Sequence, residues 1–378
     1  MERNSPLILL AAGGTGGHLF PAEALGVELI KRGFRVRLAT DARALRYSGL
    51  FSKANDNIDV VPSETVRGRN PISLARTALM LGYGGLIALN LVRQLKPAAV
   101  IGFGGYPTLP PVAAATLRGI PSVIHEQNGV MGRANRFLAG RVAAIATGFP
   151  EVKGIPATPA RVVHTGNPVR PAVLAAARTP FPAALHGGKL RLLVFGGSQG
   201  ARVMSDLVPA AIERLPTEVL PRLVVAHQAR EEDALRVMTA YARSVGHADV
   251  QPFFKDLPQR IAESHLVISR SGASTVAELA VIGRPSILVP LPGALDQDQA
   301  ANARSLAEIG AATVIPQGEF TPERLAAEIM ARIADPLRLE QAAAAAKAAG
   351  IADAAERLAA LVVHTARIPL PEAPTAEA

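Results

Sequence analysis

Leu7-Ile8-Leu9-Leu10-Ala11-Ala12-Gly13-Gly14-Thr15-Gly16-Gly17-His18 is the stretch that decides the fold. Six apolar residues run into a turn rich in glycine. A helix follows, bracketed by Pro21 near its start and by Gly33 after the cationic pair Lys31-Arg32. Proline suits a first helical turn, and cations suit the negative end of the helix dipole. An unbroken apolar strand is buried on both faces, and a strand followed by a helix is the repeating unit of a parallel sheet. The same pattern returns more than 180 residues later. There Leu190–Phe195 enters Gly196-Gly197-Ser198-Gln199-Gly200-Ala201-Arg202.

Other short β-branched runs extend each beginning into a series. The first holds Val36–Thr40, Ala98–Gly102, Ser122–His125 and Ala143–Thr147. The second holds Leu223–His227, Leu266–Ser269, Ser286–Val289 and Ala312–Ile315. Ala/Leu-rich helical stretches separate them, so the chain reads as α/β: two doubly wound Rossmann-like domains facing a cleft. The expected boundaries are 1–165, 166–349 and a flexible tail from 368, with a helix at about 350–367 packing back on the first domain. The linker is placed near Gly166-Asn167-Pro168.

Composition agrees with two globular domains. The chain has 378 residues, 49% hydrophobic and 19% charged, and no cysteine, which excludes disulfides, thiolate metal sites and a cysteine nucleophile. A net charge of +9 points to an anionic partner. Nucleic acid is a poor candidate: aromatics are 4%, tryptophan is absent and the basic residues are not interleaved with stacking residues. Arg3 and the run Pro6–Ala12 resemble a signal peptide only superficially, because the run is too short and leads into the glycine turn.

Glycine turns that enter helices bring backbone N–H groups to an anion. Gly102-Phe103-Gly104-Gly105-Tyr106-Pro107 is a third such turn. A dinucleotide fingerprint starting at Gly14 fails, because its third glycine falls at Leu19, although Asp41 stands where a ribose-binding acid belongs. No Walker lysine follows either main turn. Ser269-Arg270-Ser271-Gly272-Ala273-Ser274-Thr275-Val276-Ala277-Glu278 also leaves a strand and opens a helix, with Ser271 or Gly272 as cap. Thr275 and Glu278 lie three apart. Two readings stay open there: a nucleotide site with Glu278 on ribose hydroxyls, or a plain capping box with Thr275 as cap.

With His125-Glu126-Gln127-Asn128, Gly166-Asn167-Pro168-Val169-Arg170, Gln299 and Asn302, these stretches resemble the MurG family in order and across most of residues 7–315. Its members are inverting transferases of glycosyltransferase fold B. They move N-acetylglucosamine from UDP-N-acetylglucosamine to the 4-hydroxyl of N-acetylmuramic acid in lipid I, giving lipid II for peptidoglycan.

The resemblance implies a set of substrate contacts. Ser198 and Arg170 would hold the diphosphate, and Ala273, Ser274 and Thr275 would meet uridine and phosphate. Glu278 would bind the ribose, Phe254 would lie near uracil, and Gln299 would read sugar hydroxyls. Thr15, Gly16, Gly17, His18 and Asn128 would face the donor sugar. Two positions depart from the family pattern: Asp298, where histidine is common, and Phe254, where an aliphatic residue is common.

The base must be a carboxylate or a group that titrates near neutrality. His18 is the first candidate, with His125 and Glu126 as alternatives. No cofactor is expected. Asp296-Gln297-Asp298 has the spacing of a metal motif, but it lies in a loop where the family places sugar contacts, so no metal is assigned. The resemblance also implies a peripheral protein at the cytoplasmic face of the inner membrane. Thr77–Val92 is apolar but too short and interrupted to span, and Arg67, Arg69, Arg76, Arg93 and Lys96 flank it. That pattern suits docking on an anionic membrane surface, with a buried helix pair as the alternative reading. An NAD-linked oxidoreductase and a non-catalytic nucleotide-binding module are the competing classes.

Overall fold

The computed structural model describes residues 5–46, 49–51, 57–63, 71–182, 188–197, 201–293 and 298–368, with backbone alone at 45–46 and 71–78. Ser198, Asp296, the side chain of Arg76 and the tail from Pro369 lie outside the described residues. The chain forms two compact units, 1–170 with 352–378, and 171–351.

In the first unit the strands are β1 (Leu7–Ala11), β2 (Arg35–Thr40), β3 (Ile58–Val60), β4 (Ala99–Gly102), β5 (Ser122–Glu126), β6 (Ala144–Thr147) and β7 (Arg161–His164). They form one parallel sheet in the order β3-β2-β1-β4-β5-β6-β7. Its helices are α1 (Gly16–Lys31), α2 (Pro71–Leu95), α3 (Leu109–Leu117) and α4 (Arg133–Leu138). The period of two along β1 divides the core. Ile8 and Leu10 pack with Leu25 and Leu29 of α1, while Leu9 and Ala11 pack with Val92 of α2 and Val112 of α3. The late helix α13 (Ala354–Ala366) completes the α1 side through Leu358 and Val362.

The second unit opens with α5 (Pro171–Ala176) and carries β8 (Leu190–Phe195), β9 (Leu223–Gln228), β10 (His247–Gln251), β11 (Leu266–Ser269), β12 (Ser286–Leu288) and β13 (Ala312–Val314). Their order is β10-β9-β8-β11-β12-β13, again all parallel. Counted from its own first strand this is 3-2-1-4-5-6, the doubly wound order that the first unit also follows. The covering helices are α6 (Arg202–Ile212), α7 (Glu231–Ala242), α8 (Leu257–Glu263), α9 (Ala273–Ile282), α10 (Asp298–Ala307), α11 (Pro322–Ala334) and α12 (Pro336–Ala349).

The strands expected from apolar runs are all present, displaced by a residue or so at their ends. Three strands escaped the reading: β3, β7 and β10, each at a sheet edge. Edge strands are only partly covered. Arg161 and Val162 are exposed in β7, and no residue of β10 is fully buried. Their sequences therefore lack the continuous apolar run that marks a central strand. Helix α1 also begins earlier than expected. It starts at Gly16, so Pro21 lies inside it rather than in its first turn.

Arg284 ties the second unit together below α9. Its side chain is 2% exposed. It donates to the carbonyls of Ala262, Ile282, Gly283, Thr179 and Pro180 at 2.5–3.1 Å. Burial pulls its pKa down to about 10, and it still carries its proton at neutral pH. Arg284→Met retains apolar volume but orphans several buried carbonyls, each worth about 1–3 kcal/mol. The expected loss is at least about 3 kcal/mol, seen as a lower denaturant midpoint for the second unit, with the first unit's transition unmoved.

Candidate active site

Both sheets reverse their winding at a single point, between β1 and β4 in one and between β8 and β11 in the other. Adjacent strands there send their chains to opposite faces and leave a crevice at their carboxyl ends, the usual ligand site of such sheets. Every glycine turn singled out above follows one of these four strands.

In the first unit, the turns after β1 and β4 interlock around His18. The Gly13 N–H donates to Gly104 O at 3.3 Å, and Thr108 Oγ1 donates to Gly104 O at 2.6 Å. Gly104 and Gly105 have φ of +81° and +77°, and a Cβ on either would lie 3.4–3.5 Å from its nearest neighbour, with the His18 ring within that range of both. Left-handed backbone and close approach make glycine the residue for both positions. Gly14 has no room for a side chain either. Its N–H donates to Asp41 Oδ2 at 3.1 Å, and a Cβ would lie 2.6 Å from Asp41 Oδ1.

Asp41 is therefore a staple for the first turn. Arg43 binds the same carboxylate through Nε and Nη2 at 3.0 and 2.8 Å. Burial opposes its ionisation, but the bonds from Arg43 and Gly14 outweigh that and hold the carboxyl below its ordinary value. The ribose-acid reading of Asp41 falls with this geometry.

His18 is half-buried, and its Nδ1 lies 3.1 Å from Thr15 Oγ1. Nε2 has no protein partner among the described residues. Burial, helped by the Arg43 charge and opposed by Asp41, lowers its pKa to about 4. The ring is neutral at physiological pH and able to accept a proton.

His125 and Glu126 are differently placed. His125 is fully buried at the end of β5. Nε2 sits 3.0 Å from Gly166 O, and Nδ1 lies 3.0 Å from the Gln127 amide, so both ring nitrogens are engaged. Burial lowers its pKa to about 4, against the pull of the Gly166 carbonyl. Glu126 is 2% exposed; burial raises its pKa, and bonds from Gly132, Asn128 and Asn135 offset part of the rise. Those bonds, at 2.8–3.3 Å, fold residues 126–135 into a loop that presents half-buried Asn128. Arg170 closes the first unit with its guanidinium 4.1 Å from the Phe20 ring centroid.

In the second unit, Gly272 is the cap of α9, with extended backbone at φ −61° and ψ 148°. The first intrahelical bond runs from Val276 N–H to Gly272 O at 3.0 Å. The N–H groups of Ala273, Ser274 and Thr275 are thus the orphan donors of a helix start. Thr275 is the third helical residue, so it is no cap, and the capping-box reading is withdrawn. Ser274 Oγ is buried without a hydrogen-bond partner, and Glu278, 5% exposed, stands one turn further on.

Helix α10 latches onto this turn. Ser271 Oγ donates to Gln299 O at 2.8 Å, and Asn302 Nδ2 donates to Ser271 O at 3.2 Å. Gln299 Oε1 accepts from Leu291 N–H at 3.1 Å, which leaves its amide N–H groups as donors. Asp298 accepts from the Gln299 N–H. Arg270, to which the sequence reading assigned nothing, is 9% exposed. It clamps the loop after β12 through Val289 O and Pro290 O and reaches Gln317 Oε1 after β13. Phe254 is 3% exposed beneath Arg260, 4.1 Å from its ring centroid, whereas its neighbour Phe253 is 59% exposed. The outward-facing aromatic is one residue away from the position that was singled out.

Two family models match, the glycosyltransferase family 28 N-terminal domain over residues 8–147 and its C-terminal domain over residues 191–358. A Bradyrhizobium sp. protein is 65% identical over 97% of this chain and 100% of its own length. It is named UDP-N-acetylglucosamine--N-acetylmuramyl-(pentapeptide) pyrophosphoryl-undecaprenol N-acetylglucosamine transferase. A relative of the same name from Nitrobacter hamburgensis is 64% identical over 97% of this chain and 99% of its own. The chain belongs to the MurG family. The crystal structure of Acinetobacter baumannii MurG superposes with a TM-score of 0.74 at 30% identity, covering 95% of this chain and 99% of that one. MurG membership and fold B match the sequence reading, and the oxidoreductase and the non-catalytic module are set aside.

On the first unit's surface, Leu79, Tyr83 and Leu86 of α2 are 57–75% exposed. Their spacing puts them on one helix face. Leu117 at the end of α3 and Phe137 of α4 join them, with Arg93, Lys96 and Arg118 also exposed. The helix-pair reading gives way to a single helix, α2, with an open apolar face. The contributions of α3 and α4 were invisible beforehand because isolated apolar residues in sequence carry no sign of exposure.

The buried histidines generate a pH test. For His125, and for His227 with its pKa lowered to about 3 chiefly by burial, the unfolded chain takes up a proton below about pH 6.5 that the folded chain refuses. Stability should fall as pH drops from about 6.5 towards 4. Denaturant titrations across that window should show the decline, and His227→Gln should flatten it.

Proposed function

We infer that the chain transfers N-acetylglucosamine from UDP-N-acetylglucosamine to the 4-hydroxyl of N-acetylmuramic acid in lipid I, with inversion, giving lipid II for peptidoglycan synthesis. The observation that carries this reading is the match, over nearly the whole chain, to relatives named for that activity. The second unit serves the donor, and the first unit serves the acceptor and the membrane.

At the donor, the N–H groups of Ala273, Ser274 and Thr275 and the buried Ser274 hydroxyl suit a diphosphate, and Glu278 suits ribose hydroxyls. Gln299 offers its amide N–H groups to the sugar, and of the two adjacent phenylalanines the exposed Phe253, not the buried Phe254, is available at the uracil end. Ser198 has its role from the motif alone. By the family resemblance, Arg170 supplies permanent positive charge for the leaving diphosphate. Thr15, Gly16, Gly17 and Asn128 border the crevice from which His18 acts. Among the described residues no three His, Asp or Glu side chains gather into a metal site.

His18 takes the proton from the attacking hydroxyl as the C1–O bond to the new acceptor forms and UDP leaves. Three observations favour it: a free Nε2, a neutral ring, and Thr15 holding Nδ1. His125 and Glu126 have their polar atoms committed to positioning the chain, so they act on the loop that bears Asn128. A pKa of about 4 makes a weak base; an anionic acceptor diphosphate beside the ring would raise it. With a lipid I analogue, His18→Ala should lower kcat by about 10²–10⁴-fold. In the wild type, the acid limb of kcat/KM should lie below pH 6. A loss under about tenfold would move the base elsewhere, and an absence of turnover with any lipid I analogue would overturn the activity itself.

No helix among the described residues is long and apolar enough to cross a membrane. The exposed face of α2, with Leu117 and Phe137, lies peripherally on the cytoplasmic face of the inner membrane, and Arg93, Lys96 and Arg118 meet anionic headgroups; Arg76 has its docking role from the sequence pattern alone. Each cation near such a surface contributes about 1 kcal/mol. Arg93→Glu with Arg118→Glu should weaken binding to anionic vesicles by at least about tenfold while sparing turnover of a short-chain soluble acceptor. Vesicle binding that survives the charge reversal would place the docking surface elsewhere.

A further inference from the structure

Beneath the exposed apolar face lies an open pocket of about 410 Å³ between α2, α3 and α4. A flat patch is enough to rest on a bilayer, and a pocket adds something a patch does not need. Its volume falls within the range of small-molecule sites, roughly 300–1,000 Å³. Leu81, Leu89, Leu109 and Phe137 are among its walls, and almost all of its lining is apolar. Two residues break that pattern, Tyr106 and Arg133. Tyr106 immediately follows Gly105 in the turn that touches His18. The pocket is therefore an apolar recess with a cation in its lining, one residue along the chain from the turn that touches His18.

We propose that this pocket is a subsite for the first isoprene units of the acceptor's polyprenyl chain. The inference rests on the lipid I reading above and adds a site to it. The occupant must be an amphiphile with an anionic head and a hydrocarbon tail. Arg133 complements a diphosphate, and the apolar walls from α2 and α3 complement the tail. A bilayer acyl chain would satisfy the walls but has no reason to begin beside the glycine turn. In this arrangement the enzyme draws the head of the tail out of the bilayer and uses its burial to position the sugar. Binding energy from a non-reacting part of a substrate can be spent in that way.

Gly85 of α2 lines the pocket, and a Cβ placed there would meet nothing within 4 Å. Gly85→Leu therefore fills the recess without a clash at Cβ, and it replaces a poor helix former with a good one. The experiment uses the full chain, without bilayers, and muramyl-pentapeptide diphosphate acceptors bearing one, two, four or six isoprene units below their micellar concentrations. For the wild type, kcat/KM should rise by about five- to tenfold for each of the first units that enters, then level off. In Gly85→Leu the ratio between long- and short-tailed acceptors should collapse towards one, with the KM for UDP-N-acetylglucosamine unmoved. A wild type indifferent to tail length, or a variant that keeps the full ratio, would overturn the subsite. A tail-length effect seen only when acceptors are presented in vesicles would give the pocket to bilayer lipid and overturn it equally. Failure of every acceptor, short and long, would instead count against the lipid I reading, so the two failures are distinguishable.

Discussion

In a parallel sheet wound in both directions, two neighbouring strands must send their chains to opposite faces. In the first unit, β1 leads to α1 on one face and β4 leads to α3 on the other. The crevice left between them is lined by backbone, because the turns must come close together. That closeness is what Gly13, Gly14, Gly104 and Gly105 supply. A side chain at Gly13 would crowd His18 and one at Gly14 would strike Asp41, while the positive φ of Gly104 and Gly105 would strain any other residue. His18 reaches the crevice only because the turn after β4 comes this near. The second unit repeats the constraint at β8 and β11, where Gly272 opens α9 with its N–H groups unspent.

Around each crevice a set of buried polar groups is spent on holding the backbone. Asp41 pins Gly14, Glu126 gathers residues 128–135, Arg270 clamps the loop after β12, and Asn302 holds the turn before α9. Each would be costly to bury alone and is tolerable because its bonds are made. These residue types look catalytic when read in sequence. His125 and Glu126 illustrate the point: a histidine and a carboxylate at the end of a central strand are attractive as bases until their hydrogen-bond partners are counted.

The legible parts of the sequence were those where one physical cause dominates. Central strands such as β1, β4 and β8 are covered on both faces, so their apolar runs are unbroken. The edge strands β3, β7 and β10 are partly exposed, so their residues are mixed and they went unread. Phe253 and Phe254 are adjacent and alike in sequence, yet one is exposed and the other is buried beneath Arg260. The capping-box reading of Thr275 had the right spacing, but the cap lies three residues earlier, at Gly272, which takes the extended cap conformation.

The sequence by itself determined the two parallel-sheet domains, the turns that carry the chemistry, and the family to which the chain belongs. Those features are local, because strand burial, glycine turns and motif order are written in consecutive residues. Only the tertiary structure decided which of three candidate bases has a free nitrogen, that Asp41 is a staple and not a ribose ligand, and that α2, α3 and α4 enclose an apolar pocket. Each of those depends on hydrogen bonds or contacts between residues far apart in the chain. Spacing along the sequence cannot report whether a polar atom's partner has already been found.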